Sequence, residues 1–202
     1  MVNRLASGLG TLMESLLVST GVVALAEIGD KTQLLALVLA ARFRKPVPII
    51  LGILVATLAN HALAGALGAW IIGLLGPSVM RWVLGVSFLA MAAWALVPDK
   101  LEEEGERKTD RYGAFLATLV AFFLVEIGDK TQVATVALAA RYDMLAVVVA
   151  GTTLGMMIAN VPAVLLGEVA ATKIPLKLVR GIAAAIFAAL GVAVLAGFQA
   201  GF

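Results

Sequence analysis

Two short segments carry acidic and basic side chains inside long apolar stretches. Residues 27–33 and 126–132 both read Glu-Ile-Gly-Asp-Lys-Thr-Gln. On a continuous helix the Glu and Asp, at positions i and i+3, share one face, and the Lys at i+4 shares that side. Brought together, four carboxylates and two ammonium groups leave a net negative charge that a divalent cation would neutralise. Oxygen ligands without Cys or a His pair favour calcium, magnesium or manganese over zinc or copper.

The candidate metal ligands are the four acidic residues of these segments, Glu27, Asp30, Glu126 and Asp129, and the candidate counter-ions are Lys31 and Lys130. Neutral oxygens that could complete a coordination sphere belong to Thr32, Gln33, Thr131, Gln132, Asn60 and Asn160. Two structural alternatives stay open: the threonines could bond only to backbone carbonyls, and the asparagines could only join helices. His61 could carry a proton, although Val161 stands at the position matched to it in the second half.

The composition is that of a membrane protein. Of the 202 residues, 62% are hydrophobic and 14% are charged, and the mean hydropathy is +1.04. Soluble domains are about 45–50% apolar and about 25% charged. The chain has no cysteine, which excludes disulfides and thiolate metal sites, and no basic cluster interleaved with aromatic residues suggests nucleic acid. A cleavable signal peptide ending near Ala26 is rejected, because cleavage there would sever the first charged segment.

Charged and proline-containing breaks predict an all-α integral membrane protein of six transmembrane helices. The predicted spans are 11–41, 47–75, 78–97, 113–140, 144–169 and 175–200. A β-barrel would show short alternating segments instead. Gly29 permits either close helix approach or a local break within its span. Small residues should allow tight helix packing at Gly65, Gly68, Gly151 and Gly155, and the acidic residues Glu14, Asp143 and Glu168 should lie near the membrane interface.

The two halves of the chain repeat with an offset of 99 residues. Between the segments 27–42 and 126–141, 11 of 16 positions are identical. Arg81 and Phe88 match Arg180 and Phe187, and Asn60 matches Asn160 if one residue is inserted. Because each half has three spans, the second half must enter the membrane from the opposite side, as in inverted-repeat transporters. The predicted units are residues 1–98, a charged cytosolic linker 99–112, and residues 113–202, together forming one compact membrane domain.

Basic residues predict the orientation of this arrangement. The side that holds both termini carries Arg4, Arg81 and Arg141, whereas the other side carries Arg42, Arg44, Lys45, Lys100, Arg107, Lys108, Arg111, Lys173, Lys177 and Arg180. The positive-inside rule therefore places both termini outside the cytoplasm.

The paired Glu-x-Gly-Asp-Lys-Thr motifs resemble a known family across essentially the whole chain. This family comprises the Golgi manganese/calcium–proton exchangers and their chloroplast and bacterial manganese-transporter relatives. The resemblance implies export of a divalent cation from the cytosol, manganese in a bacterial member, with protons as the counter-ion. It also implies that Glu27, Asp30, Glu126 and Asp129 bind the cation. No transit segment is visible, which fits a plasma (inner) membrane location.

The expected function is therefore manganese export by a secondary transporter. The expected partners are the transported cation, protons and the lipid bilayer, with no further cofactor and no nucleic acid. A calcium/proton antiporter and a passive cation channel with the same carboxylates are the alternatives. The inverted repeat disfavours a channel, because alternating access uses that symmetry directly. An enzyme is disfavoured, because the sequence lacks His-Glu-x-x-His and Gly-x-Ser-x-Gly motifs.

Overall fold

A computed structural model of the chain describes residues 2–74, 77–97, 113–166 and 176–197. These residues form eight α-helices and contain no strand. In chain order the helices are α1 (Val2–Glu27), α2 (Lys31–Phe43), α3 (Pro46–Leu74), α4 (Pro77–Ala95), α5 (Gly113–Glu126), α6 (Lys130–Tyr142), α7 (Leu145–Leu166) and α8 (Leu176–Leu195). The linker 99–112 and Glu168 lie outside the described residues.

Three of the described helical segments are long and apolar enough to cross a membrane, judged by length and composition. They are Gly8–Glu27, Pro46–Trp70 and Leu145–Leu166. Three shorter apolar segments are Arg81–Ala95, Gly113–Glu126 and Gly181–Leu195. Together they fall in the six regions where the sequence predicted spans, and the described residues form the all-helical arrangement of a membrane protein.

Each of the predicted spans 11–41 and 113–140 is two helices separated by a break, one of the two possibilities that Gly29 left open. Helix α1 ends at Glu27 and α2 begins at Lys31, while α5 ends at Glu126 and α6 begins at Lys130. Gly29 and Gly128 have φ angles of +79° and +78°. Residues with a Cβ rarely adopt this left-handed conformation, so glycine lets the chain turn out of the first helix and start the second.

The helices of the two halves pack into each other. Helix α1 packs on α7 and α5 on α3, while α3 contacts α7 and α4 contacts α8. At Gly52, a Cβ would lie 2.8 Å from the carbonyl oxygen of Phe115 on α5. At Gly151, a Cβ would lie 2.8 Å from the carbonyl oxygen of Leu16 on α1. Close packing was expected at Gly65, Gly68, Gly151 and Gly155. The last three lie against backbone atoms of a neighbouring helix, whereas Gly65 lies against the Leu145 and Val149 side chains of α7.

A pair of phenylalanines at the repeat offset joins α4 to α8. The rings of Phe88 and Phe187 have centroids 6.4 Å apart and planes inclined at 29°, and both side chains are fully buried. They belong to an apolar core that also includes residues of α1 and α6. A second core, centred on Ile49 and Ile53 of α3, includes residues of α2, α5 and α7.

The expected match of Asn60 with Asn160 is wrong. Helices α3 and α7 begin at Pro46 and Leu145, one repeat offset apart, and Gly52 and Gly151 make equivalent contacts at the same offset. Both helices then continue as regular α-helix, which leaves no room for an inserted residue. Asn60 is therefore equivalent to Ala159, and His61 is equivalent to Asn160.

Candidate metal centre

The two charged motifs lie at the two helix breaks. Asp30 is the N-cap residue of α2 and Asp129 that of α6, and both have extended backbone angles. An N-cap aspartate commonly accepts a hydrogen bond from its own helix. Neither of these side chains does so. The two carboxylates are thus available for contacts beyond their own helices.

Three carboxylates converge at the breaks. Glu27, Asp30 and Asp129 each offer an oxygen, and these oxygens lie within 4.8 Å of one another. All three residues are buried, with at most 1% of their surface exposed. Glu126 is equally buried but is not a member of this group. Of the four predicted ligands, the structure therefore brings three together and leaves the fourth outside their immediate cluster.

The two lysines make ion pairs between the motifs. Lys130 donates a hydrogen bond to Asp30, and Lys31 Nζ lies 3.0 Å from Asp129 Oδ1. The expectation that Lys31 lies on one helical face with Glu27 is wrong, because the break at Gly29 separates the helices that carry them. The same break removes the common helical face expected for Glu27 and Asp30. Their proximity comes from the turn between α1 and α2.

The two threonines hold the two glutamates. The Thr32 hydroxyl donates to Glu27 Oε2, and the Thr131 hydroxyl donates to Glu126 Oε2 at 2.9 Å. The other oxygen of each glutamate, Oε1, is buried and accepts no hydrogen bond from the described residues. The threonines thus fix the orientation of the glutamates while leaving one oxygen of each to bind a ligand.

The two glutamines stabilise the helix breaks through hydrogen bonds with the backbone. Gln33 Oε1 accepts a hydrogen bond from the Gly29 N–H at 2.9 Å, and Gln132 Oε1 accepts one from the Gly128 N–H at 2.8 Å. Each amide nitrogen reaches the opposite half: Gln33 Nε2 donates to the Ala159 carbonyl at 3.0 Å. The amide oxygens, which were candidate ligands, are already engaged with the backbone of the breaks.

The amide nitrogens of the two glutamines have different kinds of acceptor. Gln33 Nε2 donates to a backbone carbonyl, whereas Gln132 Nε2 donates to a side chain. Its acceptor is Asn60 Oδ1, at 3.5 Å. Asn60 also donates to the Phe123 carbonyl at 3.0 Å. Because Asn60 and Ala159 are equivalent in the repeat, the two glutamines reach equivalent positions through different acceptors. Asn60 therefore joins helices α3, α5 and α6, the structural alternative that the sequence left open.

Two further buried polar residues are His61 and Asn160. Asn160 donates to the Met156 carbonyl at 3.1 Å and contacts the Met156 sulfur at 2.9 Å. Its amide oxygen, like both ring nitrogens of His61, has no hydrogen-bond partner among the described residues. Neither side chain is placed in the carboxylate group by the contacts observed.

A contact that the sequence did not indicate lies at the far end of α6. The Tyr142 hydroxyl donates to Glu14 Oε1 at 3.3 Å, and the Arg141 guanidinium lies 5.3 Å from the Tyr142 ring centroid. The partners are 128 residues apart, and no local pattern marks such a pair.

The site consists of buried carboxylates that are paired with ammonium groups. These groups lie at helix breaks within an apolar bundle, and such an arrangement is characteristic of one class of protein. Charged side chains are costly inside a membrane and generally mark an ion or substrate pathway. Broken helices that meet at a central site are typical of secondary transporters. The fold and the site together are those of a cation transporter.

Comparison with known proteins places the chain within this class. The family model described as "Divalent cation/proton antiporter GDT1" matches residues 15–103 and 114–200, and the chain belongs to this family. The family resemblance carried by the two motifs is thus confirmed.

Curated relatives come from a bacterium and from a plant. A Vibrio cholerae protein named "Putative manganese exporter" is 55% identical over 183 residues, covering 90% of either chain. Rice GDT1-like protein 3 is 29% identical, over 87% of this chain and 71% of the rice protein. Rice GDT1-like protein 4 is 30% identical, over 90% of this chain and 72% of its own length. No solved structure matches the chain.

Proposed function

We propose that this protein exports Mn²⁺ from the cytosol across the plasma (inner) membrane in exchange for protons. Glu27, Asp30 and Asp129 bind the cation in the conformation described, and Glu126 completes the set of four carboxylates during the transport cycle. The protein acts as a transporter and carries out no covalent chemistry. Manganese is assigned ahead of calcium because the 55% identical relative bears a manganese exporter's name.

The convergence of three buried carboxylates from two separate breaks is the observation that carries this proposal. Their oxygens lie within 4.8 Å of one another, so a modest movement would allow one cation to contact all three. Carboxylate oxygens suit hard cations such as Mn²⁺, Ca²⁺ and Mg²⁺. Glu27 Oε1 and Asp129 Oδ2 accept no hydrogen bond from the described residues, so their lone pairs can bind a cation.

The proposed membrane architecture is an inverted repeat of six spans, residues 1–98 and 113–202, joined by the linker 99–112. Two of the six spans are the broken pairs α1–α2 and α5–α6. Equivalent contacts at Gly52 and Gly151, and the stacked pair Phe88 and Phe187, support a two-fold relationship between the halves. Both termini face away from the cytoplasm in this proposal, since most basic loop residues then lie inside.

Exchange follows from competition between the cation and protons for the same carboxylates. A cation that arrives from the cytosol binds best to ionised carboxylates and displaces protons from them. When the halves move relative to each other and the site opens outward, protons from outside displace the cation. An inverted repeat uses its symmetry directly for alternating access, which favours this cycle over a channel.

Transport by the purified protein in liposomes tests the proposal. Mn²⁺ uptake should follow an imposed pH gradient, and each Mn²⁺ taken up should move protons the other way, as reported by a dye inside the vesicles. Excess Ca²⁺ tests the alternative cargo: strong competition with efficient Ca²⁺ flux would reassign the protein as a calcium/proton antiporter. Mn²⁺ flux that neither drives nor responds to a proton gradient would replace the antiporter with a passive channel.

A further inference from the structure

The two ion pairs between the motifs differ in exposure. The side chains of Lys130 and Asp30 are 4% and 0% exposed, whereas Lys31 is 25% exposed and its partner Asp129 is 1% exposed. A charged side chain that faced hydrocarbon would be strongly unfavourable. The exposed part of Lys31 therefore marks the side on which the site approaches water, and Lys130 lies on the closed side.

This difference does not come from the sequences of the motifs themselves. Residues 27–33 and 126–132 have identical sequences, so the two lysines have the same side chain, the same neighbours along the chain and the same type of partner. The glutamates differ in the same sense: Glu27 belongs to the carboxylate group and Glu126 does not. Two identical motifs held in two environments are what one conformation of a two-state inverted repeat would produce.

From this asymmetry, and resting on the proposed cation exchange, we propose that Lys31 and Lys130 are alternating positioning residues. Lys31 is the ammonium displaced from Asp129 when a divalent cation binds in the conformation described, while Lys130 remains with Asp30. In the conformation open to the other side, the two motifs exchange environments: Lys130 becomes the displaced ammonium, Lys31 becomes the buried one, and Glu126 replaces Glu27 in the carboxylate group.

Displacing one lysine disturbs fewer charges than displacing both. Replacing one ammonium by one divalent cation changes the local charge by a single unit and leaves the enclosed Lys130 with Asp30. Lys31 can leave because its side chain already reaches the exposed surface. Lys130 is enclosed, and separating it from Asp30 would leave two buried charges without each other.

Single-cysteine variants test the proposal without background labelling, because the chain has no cysteine. Lys31→Cys and Lys130→Cys are treated in oriented vesicles with aminoethyl methanethiosulfonate, with a thiol scavenger in the opposite compartment. This reagent attaches an ammonium group to the sulfur and restores a lysine-like side chain. We expect Lys31→Cys to react faster from one face and Lys130→Cys faster from the other, with Mn²⁺ transport recovering as each reacts. Faster reaction of both variants from the same face would overturn the proposal.

A second pair of variants covers the case in which a cysteine variant does not fold. Lys31→Gln removes the competing ammonium on one side, so the KM for Mn²⁺ should fall at one face only, with a lower maximal rate. Lys130→Gln should have the same effect at the opposite face, and Lys→Arg at each position should restore wild-type values. Equal KM changes at both faces would refute alternation. If the wild-type protein shows no proton-coupled Mn²⁺ flux, the proposed function itself is refuted.

Discussion

Lys130 donates a hydrogen bond to Asp30, a residue 100 positions earlier in the chain and part of the other motif. Lys31 and Asp129 form the reciprocal pair at 3.0 Å. Each motif therefore supplies an ammonium partner for the aspartate of the other motif. This arrangement makes the contact between the two halves a condition for a stable site.

The difference in burial between these pairs predicts unequal stability effects. Lys130→Met should lower the free energy of unfolding by about 3–5 kcal/mol, because it leaves the buried Asp30 carboxylate without its ammonium partner. Lys31→Met should cost about 1 kcal/mol or less, since that pair is partly exposed. Thermal unfolding of the metal-free proteins in detergent measures both. Equal shifts in Tm would contradict the assigned burial.

The carboxylates should be individually required for transport. Glu27→Gln, Asp30→Asn and Asp129→Asn should each abolish proton-coupled Mn²⁺ flux, because an amide can neither exchange the proton nor carry the ligand charge. Glu126→Gln should also abolish flux but should weaken Mn²⁺ binding less, since Glu126 lies outside the carboxylate group observed. Glu14→Gln, an exposed acidic residue on α1, serves as the control and should transport normally. Full activity in any of the first three variants would remove that residue from the site.

The glutamines should affect rate more than affinity. Gln33→Ala removes the acceptor of the Gly29 N–H and the donor to the Ala159 carbonyl. The break between α1 and α2 should then be less rigid, and the maximal transport rate should fall. The KM for Mn²⁺ should change little, because the amide oxygen is occupied by the backbone. Gln33→Glu keeps an acceptor oxygen, loses the donor to the Ala159 carbonyl and adds an acidic group, so it tests the lost donor together with the added charge. A large rise in KM with an unchanged rate would instead make Gln33 a ligand.

Helix packing at Gly151 should not tolerate a methyl group. Gly151→Ala places a Cβ 2.8 Å from the Leu16 carbonyl oxygen, and such overpacking typically costs about 1–3 kcal/mol. Gly21 on α1 is the matched control, since nothing lies within 4 Å of a Cβ built there. Gly21→Ala should be neutral or slightly stabilising because alanine favours the helix. Unfolding in detergent compares the two, and equal stability would mean that α1 and α7 lie farther apart.

The orientation in the membrane is tested by cysteine labelling. Cysteines that replace Asn3 and Gly201 should react with an impermeant thiol reagent added outside intact cells. A cysteine that replaces Arg44, in the loop proposed to be cytosolic, should react only after the membrane is opened. Labelling of both terminal positions only in opened cells would reverse the proposed topology.

The sequence by itself determined the class of the protein and the chemistry of its site. Excess apolar residues indicated a membrane protein, since a chain of this length has too little interior to hide them. The repeated seven-residue motif identified the acidic and basic residues, because charges within apolar stretches stand out without any structural information. Breaks at proline and charged residues placed the apolar helices to within about five residues, except that α1 begins at Val2 and not at residue 11.

Only the tertiary structure decided how these residues are paired. The sequence allowed Gly29 to be either a point of helix contact or a break, and the choice depends on what packs around it. Local spacing suggested that Lys31 would lie beside Glu27, whereas the break directs Lys31 to Asp129 of the other half. The match of His61 with Asn160, and the separation of Glu126 from the other three carboxylates, likewise depend on how α3, α6 and α7 pack. Spacing along the chain fixes neighbours within one helix, but contacts between residues about 100 positions apart are set by the packing of the two halves.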